Sequence, residues 1–410
     1  MMSRELVGQR SETVRRANLS AIVRELHARG PLSRSELVAR TGLTRSAIRG
    51  LISEFVLADL VSEERSDPAG APGRPSPLVR PRADGAVVLA LEVSVDSLAA
   101  ALVGLGGKTL EHVRVERPRG HLGTDEIVGD LRGLTDRLRL LPAHRDVLIG
   151  IGIAIVGVVR RSDGFVKTAP NLGWRDIPLG DLVTAALDLR VPVRIANEAD
   201  LGALVELRRG AARGGDDVLF VQGEVGVGGG IIVDGQPLGG VAGFAGEIGH
   251  MPINPDGLAC RCGSVGCLET ETGEGRLLAL AGQPPDAGRD GVTRLLAAAS
   301  AGDPVALAAL DHVGSWLGRG IAGLVNMLNP RVVILGGLFS RIHPFIADRI
   351  ESQLDRYALA APRELVRVAP AALGVDAPLL GAAELAFEPF LADPAVWLGP
   401  REMLAAAASA

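Results

Sequence analysis

GEIGHMPINPDGLACRCGSVGCLE, residues 246–269, decides how this chain is read. It contains all the cysteines of the sequence, Cys260, Cys262 and Cys267, with His250 shortly before them. One imidazole and three thiolates are the ligand set of a closed, four-coordinate structural zinc site, with no position left open for catalysis. Gly257, Gly263 and Gly266 lie among the ligands, where a chain must fold tightly around a small ion. The three cysteines are too close together for a spread disulfide framework, and any pairing leaves one thiol over. Small buried hydrophobes or a redox pair would explain two such cysteines but explain three plus a histidine poorly, so structural Zn²⁺ is the expected cofactor.

On either side of this stretch the chain alternates strand and helix signals, which indicates an α/β fold. Apolar, β-prone runs occur at 87–95, 147–159, 191–196, 218–222, 231–233 and 332–335. Helical patterns occupy 124–141, 179–189, 198–210, 306–329 and 344–357. The longest apolar stretch, 147–159, falls well short of the ~20 residues that span a bilayer, and the N-terminus lacks the apolar core of a secretory signal. A cytoplasmic protein without membrane contact is expected. With 410 residues, 47% of them hydrophobic, the chain can bury a large core and divide into two or three domains.

The first 60 residues read differently, as three short helices. Leu19, Ile22, Val23 and Leu26 form one face of a helix from about Arg15 to Arg29, which stops at Gly30-Pro31. Ser33 and Glu36 form a capping box for a second helix ending at Thr41-Gly42. Thr44 then caps a third, in which Ile48, Leu51, Ile52 and Phe55 repeat at i, i+3, i+4 and i+7. Its other face shows Arg45, Ser46, Arg49 and Ser53. The Pro-, Gly- and Arg-rich stretch 61–82 fits a wing hairpin followed by a linker, with Arg74 at the tip. Residues 1–82 carry fourteen Arg against nine Asp or Glu, a net +5, so the other 328 residues carry −10. A basic helix-turn-helix module is therefore expected to bind double-stranded DNA. Arg45 and Arg49 would reach base edges or phosphates, Ser33, Thr44 and Ser46 would donate to phosphates, and Arg74 would enter the minor groove. A protein-interaction cap with solvated arginines is the competing reading.

The 246–269 stretch strongly resembles the signature of the ROK family, which comprises bacterial glucokinases and sugar-operon repressors. The likeness extends to the N-terminal winged module and its Gly-Arg-Pro wing. It implies a two-lobed actin-like, ribonuclease-H-like ATPase fold with a monosaccharide bound between the lobes. The implied division is 1–82 for the winged module, 83–195 plus a C-terminal helix from about 384–410 for the first lobe, and 196–383 for the second. The implied sugar-binding residues are Gly157, Asn171, Asn197, Glu198, Glu247, His250 and Glu269, of which His250 is also a zinc ligand. Independently of the likeness, a cluster of Glu, Asn and His supplies the donors and acceptors that sugar hydroxyls need.

The departures from the kinase pattern decide between the family's two activities. Family kinases open their first lobe with Asp-x-Gly-Gly-Thr, whose glycines admit the phosphates of ATP. Here that stretch is Glu92-Val93-Ser94-Val95-Asp96, with side chains in place of both glycines and an anion at the Thr position. Glu198 stands where the kinases carry a catalytic Asp, and its added methylene displaces the carboxylate at a centre where ~1 Å can cost 100-fold. Gly226–Gly230 and Gly336-Gly337 still resemble the kinases' nucleotide loops. The expected protein is thus a non-enzymatic, sugar-responsive repressor, a homodimer or dimer of dimers on operator DNA. Among its relatives the Asn-Glu-Ala sequence is similar to that of xylose-operon repressors. A kinase with an atypical phosphate loop is the alternative, and an activator remains open.

Overall fold

The computed structural model describes residues 11–64, 76–120 and 123–398. The chain begins with α1 (Ser11–Arg29), β1 (Leu32–Ser33), α2 (Arg34–Thr41), α3 (Arg45–Leu57), β2 (Val61–Glu64) and β3 (Leu78–Pro81). Ser33 caps α2 through a complete capping box, and Thr44 accepts from the Ala47 amide to cap α3. Between them Gly42, at φ 71°, makes the turn that a side chain would strain. The three strands pair in the order β1-β3-β2, so this is a winged helix-turn-helix. Helix α1 starts four positions before the expected Arg15. The expected linker is only a short turn, because β3 reaches Pro81 and the Arg82 amide bonds the Leu60 carbonyl before β4 begins.

The first large sheet follows as β4 (Val87–Val93), β5 (Ser97–Gly104) and β6 (Lys108–Glu116). After α4 (Thr124–Asp136) and the single turn α5 (Leu141–His144) comes β7 (Leu148–Ile155). A small sheet, β8 (Val158–Arg160), β9 (Phe165–Ala169) and β10 (Trp174–Ile177), leads to α6 (Leu179–Leu187), β11 (Val193–Asn197) and α7 (Glu198–Arg209). The large sheet has the order β11-β7-β4-β5-β6, parallel across its first three strands and antiparallel across the rest. The apolar run 147–159, read as one strand, is two, broken at Gly157.

The second large sheet is β14-β13-β12-β15-β16. Its strands are β12 (Val218–Gly223), β13 (Val227–Val233), β14 (Gln236–Pro237), β15 (Val332–Gly337) and β16 (Arg367–Pro370). Helices α8 (Leu268–Thr272), α9 (Glu274–Leu280), α10 (Gly288–Ser300), α11 (Pro304–Leu328), α12 (Leu338–Tyr357) and α13 (Ala360–Leu365) accompany it. Helix α12 contains Pro344 instead of starting there, because Leu338, Phe339 and Ile342 bury its first turns and outweigh the local cost of proline. The chain returns to the first sheet through α14 (Ala377–Ala392), which begins earlier than the expected position 384. Two mixed five-stranded sheets with helices between and around them are the expected two-lobed α/β architecture.

The winged module is not a separate bead. One apolar cluster runs from Leu19, Ile52, Phe55 and Val79 through Ala90 and Leu204 to Phe387 and Phe390 of α14. Each fully buried Phe of this kind is worth about 2–3 kcal/mol, so the module is held to the first sheet by a shared core.

Candidate effector cleft, metal centre and DNA face

The metal ligands converge as the spacing requires. His250 ends a short 3-10 turn, Cys267 immediately precedes α8, and Cys260 and Cys262 lie on the loop between. Their ligand atoms all lie within 4.8 Å of one another. Sγ of Cys262 and Cys267 are 3.7 Å apart, as are Cys260 Sγ and His250 Nδ1. A tetrahedron with Zn–S arms of ~2.3 Å has edges of roughly 3.7 Å, so the cluster fits a single four-coordinate ion. Burial pushes the Cys267 thiol up to about 12, a penalty that a bound cation would offset. Because Nδ1 of His250 turns to the cysteines, Nε2 is left for another partner.

The expected sugar residues gather where the two sheets meet, in two groups. Gly157, Asn197 and Glu247 line one small cavity together with Asp200 and glycines 228, 229, 243 and 246. Asn197 caps α7 by accepting from the Ala199 amide and donates Nδ2 to the Gly157 carbonyl at 2.9 Å. At φ 111°, and with the Thr168 carbonyl 2.4 Å from where a Cβ would stand, Gly157 cannot be replaced without moving that strand. Glu269 accepts from the Val227 amide at 3.0 Å, and a Cβ on Gly226 would meet both Glu269 and Asn171. Burial raises the Glu247 carboxyl, and the neighbouring His250 draws it back. This part of the cleft has about 20 Å³ of free space, room for a water molecule.

Glu198 belongs to a different neighbourhood. It lies half-buried and faces Glu224, Glu92 and Asp96, and burial followed by these like charges holds its carboxyl well above the usual range. Glu224, just past β12, is pushed up to about 7, mainly by burial. Beside them three arginines tie down the remaining acids. Arg114 donates to Glu92 and Asp376, both at 2.9 Å, while Arg119 and Arg289 donate to Asp96 at 2.9 and 3.1 Å. Arg119 also binds Glu274 of α9, so this clasp joins the β4–β5 turn to the second sheet's helices. The Asp96 carboxylate, read from sequence as a bare anion that repels phosphate, is neutralised by two guanidinium groups. The glycine runs have packing reasons: a Cβ on Gly230 would strike the Ala199 carbonyl at 2.3 Å, and one on Gly336 would strike Phe220 at 2.4 Å.

Sequence reasoning missed Asp200, which lines the cavity and pairs with Arg161 at 2.7 Å, and it missed the clasp. The partners of each are distant in sequence, with no local pattern to mark them.

On the winged module, Thr44, Arg45, Ser46 and Arg49 are exposed along the start of α3, and among the described residues no carboxylate pairs with Arg45 or Arg49. Ser33 is half-buried, its hydroxyl accepting from the Glu36 amide. Arg74 lies outside the described residues. A joint fastens this module to the rest of the chain. His27 of α1 is buried against Glu384 of α14, 3.2 Å away, and takes the Gly106 amide on its other ring nitrogen. Arg208 donates to Glu384 at 2.7 Å, and Arg209 binds both Glu384 and the Gly106 carbonyl. Against the cost of burial, His27 first and then Arg209 and Arg208 hold the Glu384 carboxyl well below the usual range. Among the described residues no helix is long and apolar enough to cross a membrane.

The ROK family model matches residues 88–388. The chain is 30% identical to a xylose repressor of Bacillus spizizenii over 381 residues, covering 92% of this chain and 97% of the repressor. A ROK family transcriptional regulator, a homolog of the Escherichia coli MLC protein, superposes with a TM-score of 0.75 at 25% identity, over 96% of this chain and 99% of that one. A ROK family glucokinase from Streptomyces griseus, solved with glucose and AMPPNP, superposes with a TM-score of 0.65 at 30% identity, over 74% of this chain and 99% of the kinase. With its family model spanning both sheets and a repressor matched along nearly its whole length, this chain belongs to the ROK family.

Proposed function

We propose that this protein is a sugar-responsive DNA-binding transcriptional regulator, a repressor released from its operator by a monosaccharide held between the two sheets. Helix α7 is the observation that carries this reading. Its N-terminal end bears Asn197, Glu198 and Asp200 at the cleft, and its C-terminal end bears Arg208 and Arg209 at the joint with the winged module. A sugar that resets the first end must act on a rod whose second end grips α14 and approaches α1. Binding of sugar and DNA is then reciprocally coupled, typically by about 1–3 kcal/mol.

In this reading Gly157, Asn171, Asn197, Glu198, Glu247, His250 and Glu269 bind the sugar. His250 uses Nδ1 for the metal and Nε2 for a hydroxyl. Zinc on His250, Cys260, Cys262 and Cys267 is structural, fixing the loop that carries Glu247 and His250. A homodimer of cytoplasmic chains presents two winged modules to a palindromic operator, with Ser33, Thr44, Arg45, Ser46, Arg49 and Arg74 at the DNA. The division of the chain is 1–82, 83–195 with α14, and the second lobe between them. The likeness to a xylose repressor puts xylose first among candidate effectors, with glucose and N-acetylglucosamine next.

Phosphoryl transfer is disfavoured on two grounds. The added methylene of Glu198 displaces the carboxylate that would act as general base, and Glu92 and Asp96 are held in the arginine clasp instead of cradling phosphates. The likeness to a glucokinase keeps the kinase as the second reading, and an ATP-coupled assay separates the two: turnover abolished by Glu198→Gln would establish the kinase. The main test is a gel shift on the DNA upstream of the protein's own gene, with and without each sugar. Retardation relieved by one sugar, and weakened roughly tenfold or more by Arg49→Ala, is expected. Absence of retardation on any such DNA would refute the regulator.

A further inference from the structure

Beside the effector cleft, and sharing Asp200 with it, lies a second, larger cavity of about 220 Å³ between β11, α7, β14 and α14. Its bed is apolar, formed by Ile195, Leu201, Leu204 and Leu385. Two cationic residues, Arg161 and Arg194, line it as well. Arg161 spends Nη2 on Asp200 at 2.7 Å, but its Nε is buried and meets no acceptor. Arg194, among the described residues, is paired with no carboxylate.

A buried N–H without a partner is uncommon in folded proteins and calls for an acceptor. An apolar cavity of roughly 150 Å³ already admits a benzene ring, so this one has room for a ring and a polar head. Two cations above a bed of leucines, with a single carboxylate already committed, select an anion with an apolar body.

We propose that this cavity is a second binding site, taking a small monocarboxylate with an aromatic or branched aliphatic body. Arg194 and the Arg161 Nε bind the carboxylate, and Leu201, Leu204 and Leu385 cover the body. Asp200 is a wall of this cavity and of the effector cleft alike, so the site lies back to back with the cleft and shares no other side chain with it.

The test is calorimetric titration of the full-length protein with benzoate as the probe and benzamide as its neutral counterpart. Benzoate is expected to bind saturably at one site per chain, and benzamide at least about tenfold more weakly, since hydrogen bonds to a charged group carry roughly that discrimination. Arg194→Gln, at an exposed position that leaves the core untouched, should weaken benzoate about tenfold or more. Leu204→Trp, which fills the bed, should abolish binding. Sugar-induced thermal shifts retained in both variants would show that the fold and the cleft survive. Absence of saturable benzoate binding, equal affinity for benzamide, or benzoate binding unchanged in Arg194→Gln would each overturn the proposal. So would loss of the sugar-induced shift in Arg194→Gln, because the cavity would then be part of the effector cleft.

Discussion

The two ends of α7 meet carboxyls that are shifted in opposite directions. At the joint, Glu384 stays ionised far below its usual range because Arg208, Arg209 and His27 surround it. At the cleft, Glu198 is raised by burial and then by Glu224, Glu92 and Asp96, and Glu224 is raised by burial, with Arg289 only partly opposing it. The same residue type is thus held below its usual range at one end and above it at the other. What differs is the count of cations within reach, since desolvation alone would raise both. The contrast suits the proposed roles. A joint that must keep the winged module seated uses compensated charge, whereas a cleft that receives a neutral sugar uses groups that both donate and accept.

The comparison breaks most visibly at the joint. Glu384→Ala leaves Arg208 and Arg209 facing a desolvated hole and should cost about 3–5 kcal/mol in urea unfolding. Operator affinity should fall with it, because α1 loses its seat. A loss below 1 kcal/mol would show that the joint is solvated and that the contrast is false.

The pH dependence of the cleft is the next effect. The folded protein holds a proton on Glu224 that the unfolded chain has released above about 4.5, so this group's stabilisation declines as pH rises from about 4.5 to about 7 and is flat beyond. The decline should be on the order of 2–3 kcal/mol, and Glu224→Gln should remove it from melting curves taken between pH 5 and 8. Glu384 acts in the opposite sense, its contribution being present above its unfolded pKa and lost only as strongly acid pH protonates it.

Removal of the metal should be felt on the cleft side alone. One zinc per chain by elemental analysis, lost in Cys267→Ser, should accompany weakened sugar binding while operator affinity is kept. The smallest effect belongs to Glu198→Gln. It substitutes a neutral near-isostere for a carboxyl whose charge is disfavoured by burial and by three neighbouring acids, and should alter stability by less than about 1 kcal/mol, toward greater stability. A large loss would mean that Glu198 is ionised and the cleft more like the joint.

How much of this was legible beforehand follows the range of the interactions. The caps at Ser33 and Thr44, the Gly42 turn and the apolar face of α3 are made within four residues of one another, and all appeared as read. The four residues of the candidate metal site span eighteen positions and are equally legible. Strands β5 and β6 were not expected: SLAAALVG carries no alternation because both of its faces are buried, and KTLEHVRVE is an edge strand with polar residues throughout. The fold of the cleft was reached through resemblance, but its charge balance was not.

Sequence alone therefore determined the helix-turn-helix, the His and Cys cluster and the alternating α/β character of the chain, because periodicity, capping and short spacing are local properties of the chain. Tertiary structure decided which charges meet. His27 and Glu384 are 357 positions apart, Arg289 and Asp96 are 193 apart, and Arg119 and Glu274 are 155 apart. Whether a buried acid is ionised depends on such partners, and no local pattern carries that information. The near-merging of the winged module with the first sheet is of the same kind: only packing α14 against α1 and α7 makes three amphipathic surfaces into one core.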